Sequence, residues 1–312
     1  MNGKRVLITG GNGYIGGRLA NFLKNDCDIV LSSRSSIRAP TLSHLKSLKI
    51  DWESEQSLDK ACKGIDIIIH TAAMNSQQAC CDPTSALLVN TVATSRLLQA
   101  AKKNHVKRFI YLSTSHVYGK ALNGLISEES CPVAFDPYSS SHRAAEDLVL
   151  HEHLNNNIEG IVVRLSNAFG YPMHKNVKCW GLLIPDLCLQ GVKSDSLKLN
   201  SSGVRLINFV TISDVVRAIQ HLLFVPIAQF NTPIFNIGGK ETSVSSMTEL
   251  IAKRFLKLKG KPLGILCNPR QETEKISDFI YSSRMIESTG FSALNNINKE
   301  IDDLINFCYE SF

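Results

Sequence analysis

The strongest constraint on the fold is an alternation of short apolar runs with longer helical patterns over roughly the first half of the 312-residue chain. The apolar runs are rich in β-branched residues and nearly continuous, which is typical of parallel strands buried on both faces. They are Val6–Thr9, Ile29–Ser32, Ile65–His70, Phe109–Ser113 and Ile161–Leu165. The helical patterns between them include Tyr14–Lys24, Pro83–His105 and Tyr138–Leu154. This order predicts an α/β fold with a doubly wound parallel sheet.

A glycine-rich turn joins the first strand to the first helix. Gly10, Gly13 and Gly16 lie in this turn, with Tyr14 and Ile15 opening the helix. We expect Gly10 to allow a tight turn, Gly13 to let the backbone approach a pyrophosphate, and Gly16 to let the helix pack on the strand. The positive end of the helix dipole would face the anion. The strand, turn and helix together predict a Rossmann-type domain that binds NAD(H) or NADP(H).

The character of the sequence changes after Phe169, where proline and glycine interrupt a less periodic stretch. A strand-then-helix pattern returns at Phe209–Leu223, and a further strand is predicted at Ile234–Ile237. We therefore predict a Rossmann domain over 1–170, to which the chain returns at about 207–237. Residues 171–206 and 238–312 would form a smaller α/β substrate-binding domain.

Composition limits the partners and the compartment. Lys and Arg outnumber Asp and Glu by 34 to 28, but no basic tract carries interleaved aromatic residues, so we expect no nucleic-acid partner. No apolar run approaches the roughly 18 residues of a membrane span. Nine cysteines without a CxxC pair favour reduced thiols, and no ligand pattern predicts a metal site. We expect a cytoplasmic protein, because the first strand leaves no room for a signal peptide.

Several segments resemble those of one family, in the same order along the chain. The glycines are spaced as GxxGxxG, and His70-Thr71-Ala72-Ala73, Asn90, and residues 109–119, 164–170 and 235–239 match later motifs. The chain resembles the extended short-chain dehydrogenases/reductases, the NAD-dependent epimerase/dehydratase family that modifies nucleotide sugars. The resemblance implies that the cofactor is held by Gly10, Gly13, Tyr14, Ile15, Gly16, Ser33, Arg34, Arg38, Asp51, Trp52, Thr71, Ala72, Ala73, Asn90, Leu112, Tyr138, His142 and Leu165.

The end of the second strand bears on which dinucleotide is bound. A carboxylate there would contact the adenosine ribose and disfavour a 2′-phosphate. This chain has Ser33, followed by Arg34 and, shortly after, Arg38. A hydroxyl and a guanidinium suit a 2′-phosphate, so we predict NADP(H) in preference to NAD(H). In the alternative interpretation, both arginines are solvated loop charges.

The resemblance assigns catalysis to Tyr138 and to the hydroxyl of Thr114, but the family's YxxxK lysine is here His142. Histidine titrates near 6.5, so part of the lysine's charge is lost, and Tyr138 should stay protonated at neutral pH, ready to give a proton to an alkoxide and less able to act as a base. This change favours carbonyl reduction over alcohol oxidation. In one interpretation, His142 does the work of the lysine, protonated by its surroundings. In another, catalysis has been lost and the protein is a dinucleotide-binding sensor or scaffold.

Substrate contacts are implied at Thr114, His116, Asn167, His174, Arg205 and Arg270. Ser115 and His116 stand where the family's dehydratases have an Asp–Glu pair, which makes a 4,6-dehydratase an unfavoured interpretation. The arginine that pairs with the substrate diphosphate is replaced by Ile207, so Arg205 and Arg270 are the candidates for that role. A substrate other than a nucleotide diphosphate stays open.

The combined interpretation is an NADP(H)-dependent reductase of a nucleotide-linked keto-sugar, acting at C4. An epimerase that retains NAD is the alternative, and the silent sensor or scaffold is the alternative of another class. The resemblance also implies a homodimer, formed through the helices that begin near Pro83 and Tyr138.

Overall fold

A parallel sheet forms the centre of the molecule in the computed structural model, which describes residues 3–33, 39–120, 122–227, 230, 232–270, 274 and 278–312. Its strands are Arg5–Thr9 (β1), Asp28–Ser32 (β2), Lys46–Leu48 (β3), Ile67–His70 (β4), Arg108–Thr114 (β5), Glu159–Leu165 (β7) and Ile234–Ile237 (β11). Within the described residues these seven strands have the order β11-β7-β5-β4-β1-β2-β3. Every neighbouring pair is parallel, which confirms the predicted fold class.

Smaller sheets are built from strands that lie mainly in the second half of the chain. Gly124–Ile126 (β6) pairs with Phe279–Tyr281 (β14), and Ser196–Lys198 (β9) pairs with Gly264–Leu266 (β13). Leu206–Thr211 (β10) lies between Asn167–Phe169 (β8) and Lys240–Ser243 (β12).

Helices cover both faces of the central sheet. They are Tyr14–Leu23 (α1), Glu55–Cys62 (α2), Ser76–Cys81 (α3), Pro83–Ala86 (α4), Ala93–Lys103 (α5), Pro137–Leu154 (α6), Leu183–Lys193 (α7), Ile212–Leu222 (α8), Val244–Lys259 (α9), Arg284–Glu287 (α10) and Ile297–Ser311 (α11). One apolar cluster contains Ile8, Leu31 and Ile110, and another contains Leu7, Ile68 and Tyr111. Burial on both faces explains why the strands are continuously apolar. No helix among the described residues is both long enough and apolar enough to cross a bilayer.

The prediction of one continuous α-helix over Pro83–His105 is wrong. The structure inserts a π-helical segment, Leu87–Val92, between α4 and α5. The Thr94 hydroxyl donates to the Asn90 carbonyl at 2.6 Å, and such side-chain bonds compete with the regular helical ladder. Widened turns of this kind occur frequently at functional sites.

A third apolar cluster joins α7, α9 and α11 and lies outside the central sheet. Polar contacts connect it to the first helix: Arg18 donates to Glu300 at 2.9 Å and to the Tyr171 carbonyl at 3.0 Å. The Arg18 guanidinium also stacks 3.8 Å from the Tyr171 ring centroid, and Ser213 donates to Glu300. The predicted division at residue 170 stays a proposal. The Arg18–Glu300 ion pair connects the two predicted domains.

Replacing Arg18 by Met should destabilise the fold, because Glu300 would be left buried without its cation. Breaking a buried ion pair from one side typically lowers the free energy of unfolding by about 3–5 kcal/mol. Lys299→Met is the matched control, since it removes an exposed pair with Asp303 on the same helix and should cost less than about 1 kcal/mol. Denaturant unfolding measures both, and equal losses would contradict a structural role for the Arg18–Glu300 pair.

Candidate active site

A cleft of about 1040 Å³ opens at the carboxyl ends of the central strands. Ligand sites of open α/β sheets lie at this edge. Of the residues predicted for the site, the cleft is lined by Gly13, Tyr14, Ile15, Gly16, Thr71, Ala73, Leu112, Thr114, His116, Tyr138, His142, Leu165 and Asn167. The predicted cofactor and catalytic residues are therefore brought together from five segments of the chain.

The glycine turn has the shape that an anion requires. Gly10 has φ +68°, and a Cβ atom there would lie 2.8 Å from Thr71 Oγ1 and 2.9 Å from the Ala72 nitrogen. A Cβ atom on Gly13 would lie 2.9 Å from the Gly10 carbonyl oxygen. Gly13 also caps α1 without a side-chain hydrogen bond, so the first-turn N–H groups have no competing side-chain acceptor there. These features fit a dinucleotide pyrophosphate.

His70 secures the strand end beside this turn. The Thr94 hydroxyl donates to the Asn90 carbonyl, so it accepts from His70 Nε2 at 3.0 Å. The Thr9 hydroxyl then donates to His70 Nδ1 at 2.7 Å. Burial lowers the pKa of His70 to about 3, so the ring is neutral. Strands β1 and β4 and helix α5 are thereby held together by one hydrogen-bonded chain.

Asn90, predicted as a cofactor residue, lies behind the wall of the cleft. It is buried, its side-chain oxygen accepts from the Met74 nitrogen at 2.7 Å, and its amide donates to Ser141 at 2.9 Å. Both Asn90 bonds are internal to the protein: one ties the π-helical segment to α6, and the other ties it to the segment between β4 and α3. The structure thus gives Asn90 a structural position in place of the predicted direct contact.

Tyr138 lies in the first turn of α6. Asp136 and Ser139 form a reciprocal cap at the start of this helix, with the Asp136 carboxylate accepting from the Ser139 nitrogen at 2.7 Å. Tyr138 shares a side-chain hydrogen bond with Thr114, which favours ionisation, but burial has the larger effect and raises the pKa of Tyr138. The phenol is therefore protonated at neutral pH and can act as a proton donor.

His116 faces Tyr138 from the neighbouring 3₁₀ turn, Ser115–Tyr118. Its ring meets the Tyr138 ring edge-on at 5.6 Å between centroids and stacks on Phe135 at 6.2 Å. Burial lowers the pKa of His116, and the charge of Arg205 lowers it further. Nδ1 of His116 is buried without a hydrogen-bond partner among the described residues.

The surroundings of His142 oppose the interpretation in which they protonate it. The ring is 2 % exposed, and burial, with a smaller contribution from His116, lowers its pKa to about 3. Nδ1 lies 2.8 Å from the Tyr111 hydroxyl, and Nε2 is buried without a partner among the described residues. The adjacent Arg143 does not replace the missing cation, since it pairs with Glu146 and Asp147.

Two buried residues of this site are missed by the sequence reasoning. Glu146 accepts from Arg164 at 3.0 and 2.7 Å and from Ser113 at 2.5 Å, and Tyr111 contacts His142. The sequence does contain a signal for these two residues. Polar side chains occur at alternate positions of the buried strand β5, and polar side chains recur four residues apart on α6. Tyr111 faces His142 and Ser113 faces Glu146, as a strand period of two and a helical turn together require.

The predicted phosphate-binding arginines do not line the cleft. Arg205 and Arg270 are exposed, and Ile207 lines the cleft near the position where the family's arginine is expected. Among the lining residues that the structure describes, Lys178 is the one lysine or arginine. His174 is also outside the lining, where its Nδ1 accepts from the Asn176 nitrogen at 3.2 Å.

Residues predicted to contact the adenosine end lie beyond this cleft. The Ser33 nitrogen donates to the Leu48 carbonyl at 3.3 Å, Asp51 is exposed, and the Trp52 ring lies 5.8 Å from the His70 ring. Gly10 and Ala72 lie beneath the cleft lining, in the glycine turn and its neighbouring strand end. Arg34 and Arg38 lie outside the described residues, so the preference for NADP(H) stays a prediction.

Comparison with known proteins places this site in a family. Residues 6–238 match the model of the NAD dependent epimerase/dehydratase family. The chain is 29% identical over 280 residues to human dTDP-D-glucose 4,6-dehydratase, covering 82% of this chain and 74% of the relative. It is 24% identical to a putative UDP-glucose 4-epimerase of Methanocaldococcus jannaschii, covering 97% of each.

A solved structure of MoeE5 in complex with UDP-glucose and NAD has a TM-score of 0.81 at 25% identity and 98% coverage of both chains. Taken with the family match over residues 6–238, this likeness extends from the glycine turn through the whole cleft. This chain belongs to the NAD dependent epimerase/dehydratase family.

Proposed function

We propose that this protein is an NADP(H)-dependent reductase of a keto group, at C4, on a nucleotide-linked sugar. The observation that carries the proposal is the neutral, buried His142 in place of a lysine beside a Tyr138 whose pKa is raised by burial. A protonated phenol without a neighbouring cation is a proton donor rather than a base. This arrangement favours reduction over oxidation.

The chemistry of the chain's own residues is a proton transfer. A bound nicotinamide dinucleotide would supply the hydride to the carbonyl carbon. Thr114 would hold the carbonyl oxygen by a hydrogen bond, and Tyr138 would give its phenol proton to that oxygen as it becomes an alkoxide. The phenolate then regains a proton from solvent in the open cleft. Water-poor walls formed by Leu112 and Leu165 would strengthen these hydrogen bonds.

The cofactor proposal combines the site with the relatives. The glycine turn, Thr71, Ala73, Leu112 and Leu165 would hold the dinucleotide, with Tyr138 and His142 at its reactive end. MoeE5 was solved with NAD, so the preference for NADP(H) rests on Ser33 and on the arginines that follow it in the sequence.

An epimerase with retained NAD is the alternative, favoured by the relative of Methanocaldococcus jannaschii, of which this chain covers 97%. The dehydratase relatives do not favour dehydration here, because Ser115 and His116 replace the Asp–Glu pair that this reaction is expected to need. A silent sensor or scaffold is the alternative outside catalysis, and the missing lysine is its support.

We also propose a homodimer through the π-helical segment and α6. Leu87 and Leu88 on the π-helical segment are 48% and 55% exposed, as an apolar contact surface would require. Val149 of α6 is buried in the sheet core, so its apolar character has a different explanation.

Replacing Tyr138 by Phe should remove turnover while leaving dinucleotide binding nearly unchanged. Loss of a general acid typically costs about 10²–10⁴-fold in rate, since the ring that packs against His142 is kept and the proton is lost. Turnover on keto-sugar nucleotides and dinucleotide titration are measured on the same samples, with Tyr309→Phe on α11 as control. Intact binding without turnover in the unaltered protein would instead support the sensor.

Titration with NADPH and NADH tests the choice of cofactor, after the dinucleotide content of the purified protein is determined. We expect tighter binding of NADPH, and Arg34→Gln should weaken it by roughly 10–100-fold while changing NADH little, as loss of a charged hydrogen bond predicts. Equal affinities would contradict the preference. Tightly retained NAD would favour the epimerase.

Lys178 lines the cleft, and we propose it, in place of Arg205 and Arg270, as the cation for the substrate phosphates. Lys178→Met should raise KM for a nucleotide-diphosphate sugar by about tenfold with little change in kcat, since a charge-assisted contact made equally in ground and transition states is removed. Lys175→Met is the control, because Lys175 lies in the same segment but bonds the Ser311 carbonyl and does not line the cleft. Equal effects of both substitutions would rule out a specific phosphate contact.

A further inference from the structure

Tyr111 is a buried hydroxyl that the proposed reaction does not use. It lies in the middle of β5, is 1% exposed, and has its hydroxyl oxygen 2.8 Å from His142 Nδ1. Its ring also packs 5.7 Å from the His142 ring and 5.8 Å from the His70 ring. Within the described residues, His142 is the hydrogen-bond partner that the structure gives to this hydroxyl.

The direction of the Tyr111–His142 bond follows from counting protons. Burial raises the pKa of Tyr111, so its phenol keeps a proton that needs an acceptor. If Nδ1 of His142 carried a proton, it would donate to the phenol oxygen and leave the phenol proton without an acceptor. If Nδ1 is a lone pair, the phenol donates to it and both groups are satisfied.

The second arrangement fixes the other nitrogen of His142. A neutral imidazole carries one proton, so a lone pair on Nδ1 requires the proton on Nε2. Nε2 is the atom that the structure leaves buried without a partner, in a side chain that lines the cleft. An unpaired buried donor costs free energy that a bound acceptor recovers.

We propose that Tyr111 is a positioning residue that fixes His142 in the Nε2–H tautomer, so that a neutral N–H donor faces a hydroxyl oxygen bound in the cleft. This N–H group would donate the hydrogen bond to the ligand that the family's lysine donates, but without a positive charge. The ligand class is a hydroxyl-bearing ribose or sugar. The catalytic consequence rests on the proposed reductase function, whereas the tautomer does not.

His70 provides an internal reference for the same logic. Its Nε2 must donate, because the Thr94 hydroxyl it contacts already donates to the Asn90 carbonyl. Its Nδ1 accepts from the Thr9 hydroxyl. His70 is therefore expected in the same Nε2–H form as His142, set by a hydroxyl that donates to Nδ1 in both cases.

Nitrogen-15 NMR of the histidine-labelled protein tests the tautomer directly. Two-bond correlations distinguish a protonated ring nitrogen from a bare one, and the His142 signals are those lost in His142→Lys. We expect one neutral set with the proton on Nε2, like that of His70. A proton on Nδ1, a charged ring, or averaging between the two tautomers in the unaltered protein would overturn the proposal. This measurement needs no turnover and no change at Tyr111.

A double-mutant cycle tests the consequence for catalysis. Tyr111→Phe should mix the His142 tautomers in the NMR spectrum and lower kcat/KM by about tenfold, the value of one hydrogen bond of about 1.4 kcal/mol. In the His142→Lys background the same substitution should change kcat/KM by less than about threefold, because an ammonium has no tautomer to fix. Equal losses in both backgrounds would overturn a role through His142.

Tyr281→Phe controls for the loss of a buried phenol. The Tyr281 hydroxyl donates to the Arg164 carbonyl at 2.9 Å, and its ring is buried away from His142. This variant should leave the His142 tautomer unchanged. A shift of the His142 signals in Tyr281→Phe equal to that in Tyr111→Phe would assign the effect to general loosening and overturn the proposal. If the unaltered protein shows the Nε2–H form but no turnover, the reductase function fails and the tautomer stands.

Discussion

The site depends on one buried carboxylate. Glu146 of α6 is fully buried and is neutralised by the Arg164 guanidinium of β7, while Ser113 of β5 donates to it as well. Removing Glu146 would leave the Arg164 guanidinium buried without its carboxylate, which typically costs about 3–5 kcal/mol. The pair therefore fixes the rotation of α6 against the sheet. Because Tyr138 and His142 lie on the same helix, their positions in the cleft follow from this contact.

Below this ion pair, the polar groups nearest the guanidinium are hydroxyls and an amide. The Arg164 guanidinium lies 4.7 Å from the centroid of the Tyr118 ring, and the Tyr118 hydroxyl donates to Asn236 at 2.8 Å. Toward the cleft, the groups next to Tyr138 are His142 and His116, and burial lowers the pKa of both. A lysine at position 142 would place a charge in this buried position. Histidine avoids that desolvation cost, and the ability to stabilise a phenolate is lost with it.

Much of the fold could be predicted, because strands that are buried on both faces of a sheet are continuously apolar in sequence. The five strands predicted in the first half of the chain agree with the structure to within two residues at each end, and β11 agrees at both, whereas β10 begins three residues before the predicted pattern. The π-helical segment could not be predicted, because it depends on the Thr94 hydroxyl reaching the Asn90 carbonyl rather than on apolar periodicity.

In the site, the sequence motifs predicted most of the residues that line the cleft. They did not predict the protonation state or the solvent exposure of these side chains, which depend on the surrounding structure. The neutral state of His142 follows from burial against Tyr111, which no local pattern reveals. Arg205, predicted to contact the substrate phosphates, is exposed and precedes the first residue of β10. Residue type and spacing place a side chain near the cleft. Burial determines whether that side chain is charged, and its position relative to the strand determines whether it lines the cleft.

The distribution of charge explains why the cleft suits a neutral reacting group between anionic ends. Positive potential comes from the uncapped start of α1 and from Lys178, where phosphates would be bound. Around Tyr138 no lysine or arginine lines the cleft among the described residues, so a developing alkoxide has no cation to stabilise it there. Such an alkoxide must be quenched by a proton, and Tyr138 holds one beside the Thr114 hydroxyl. The same absence of a lysine or arginine disfavours the phenolate that would be needed to remove a proton from an alcohol, and this is the physical ground on which we propose reduction.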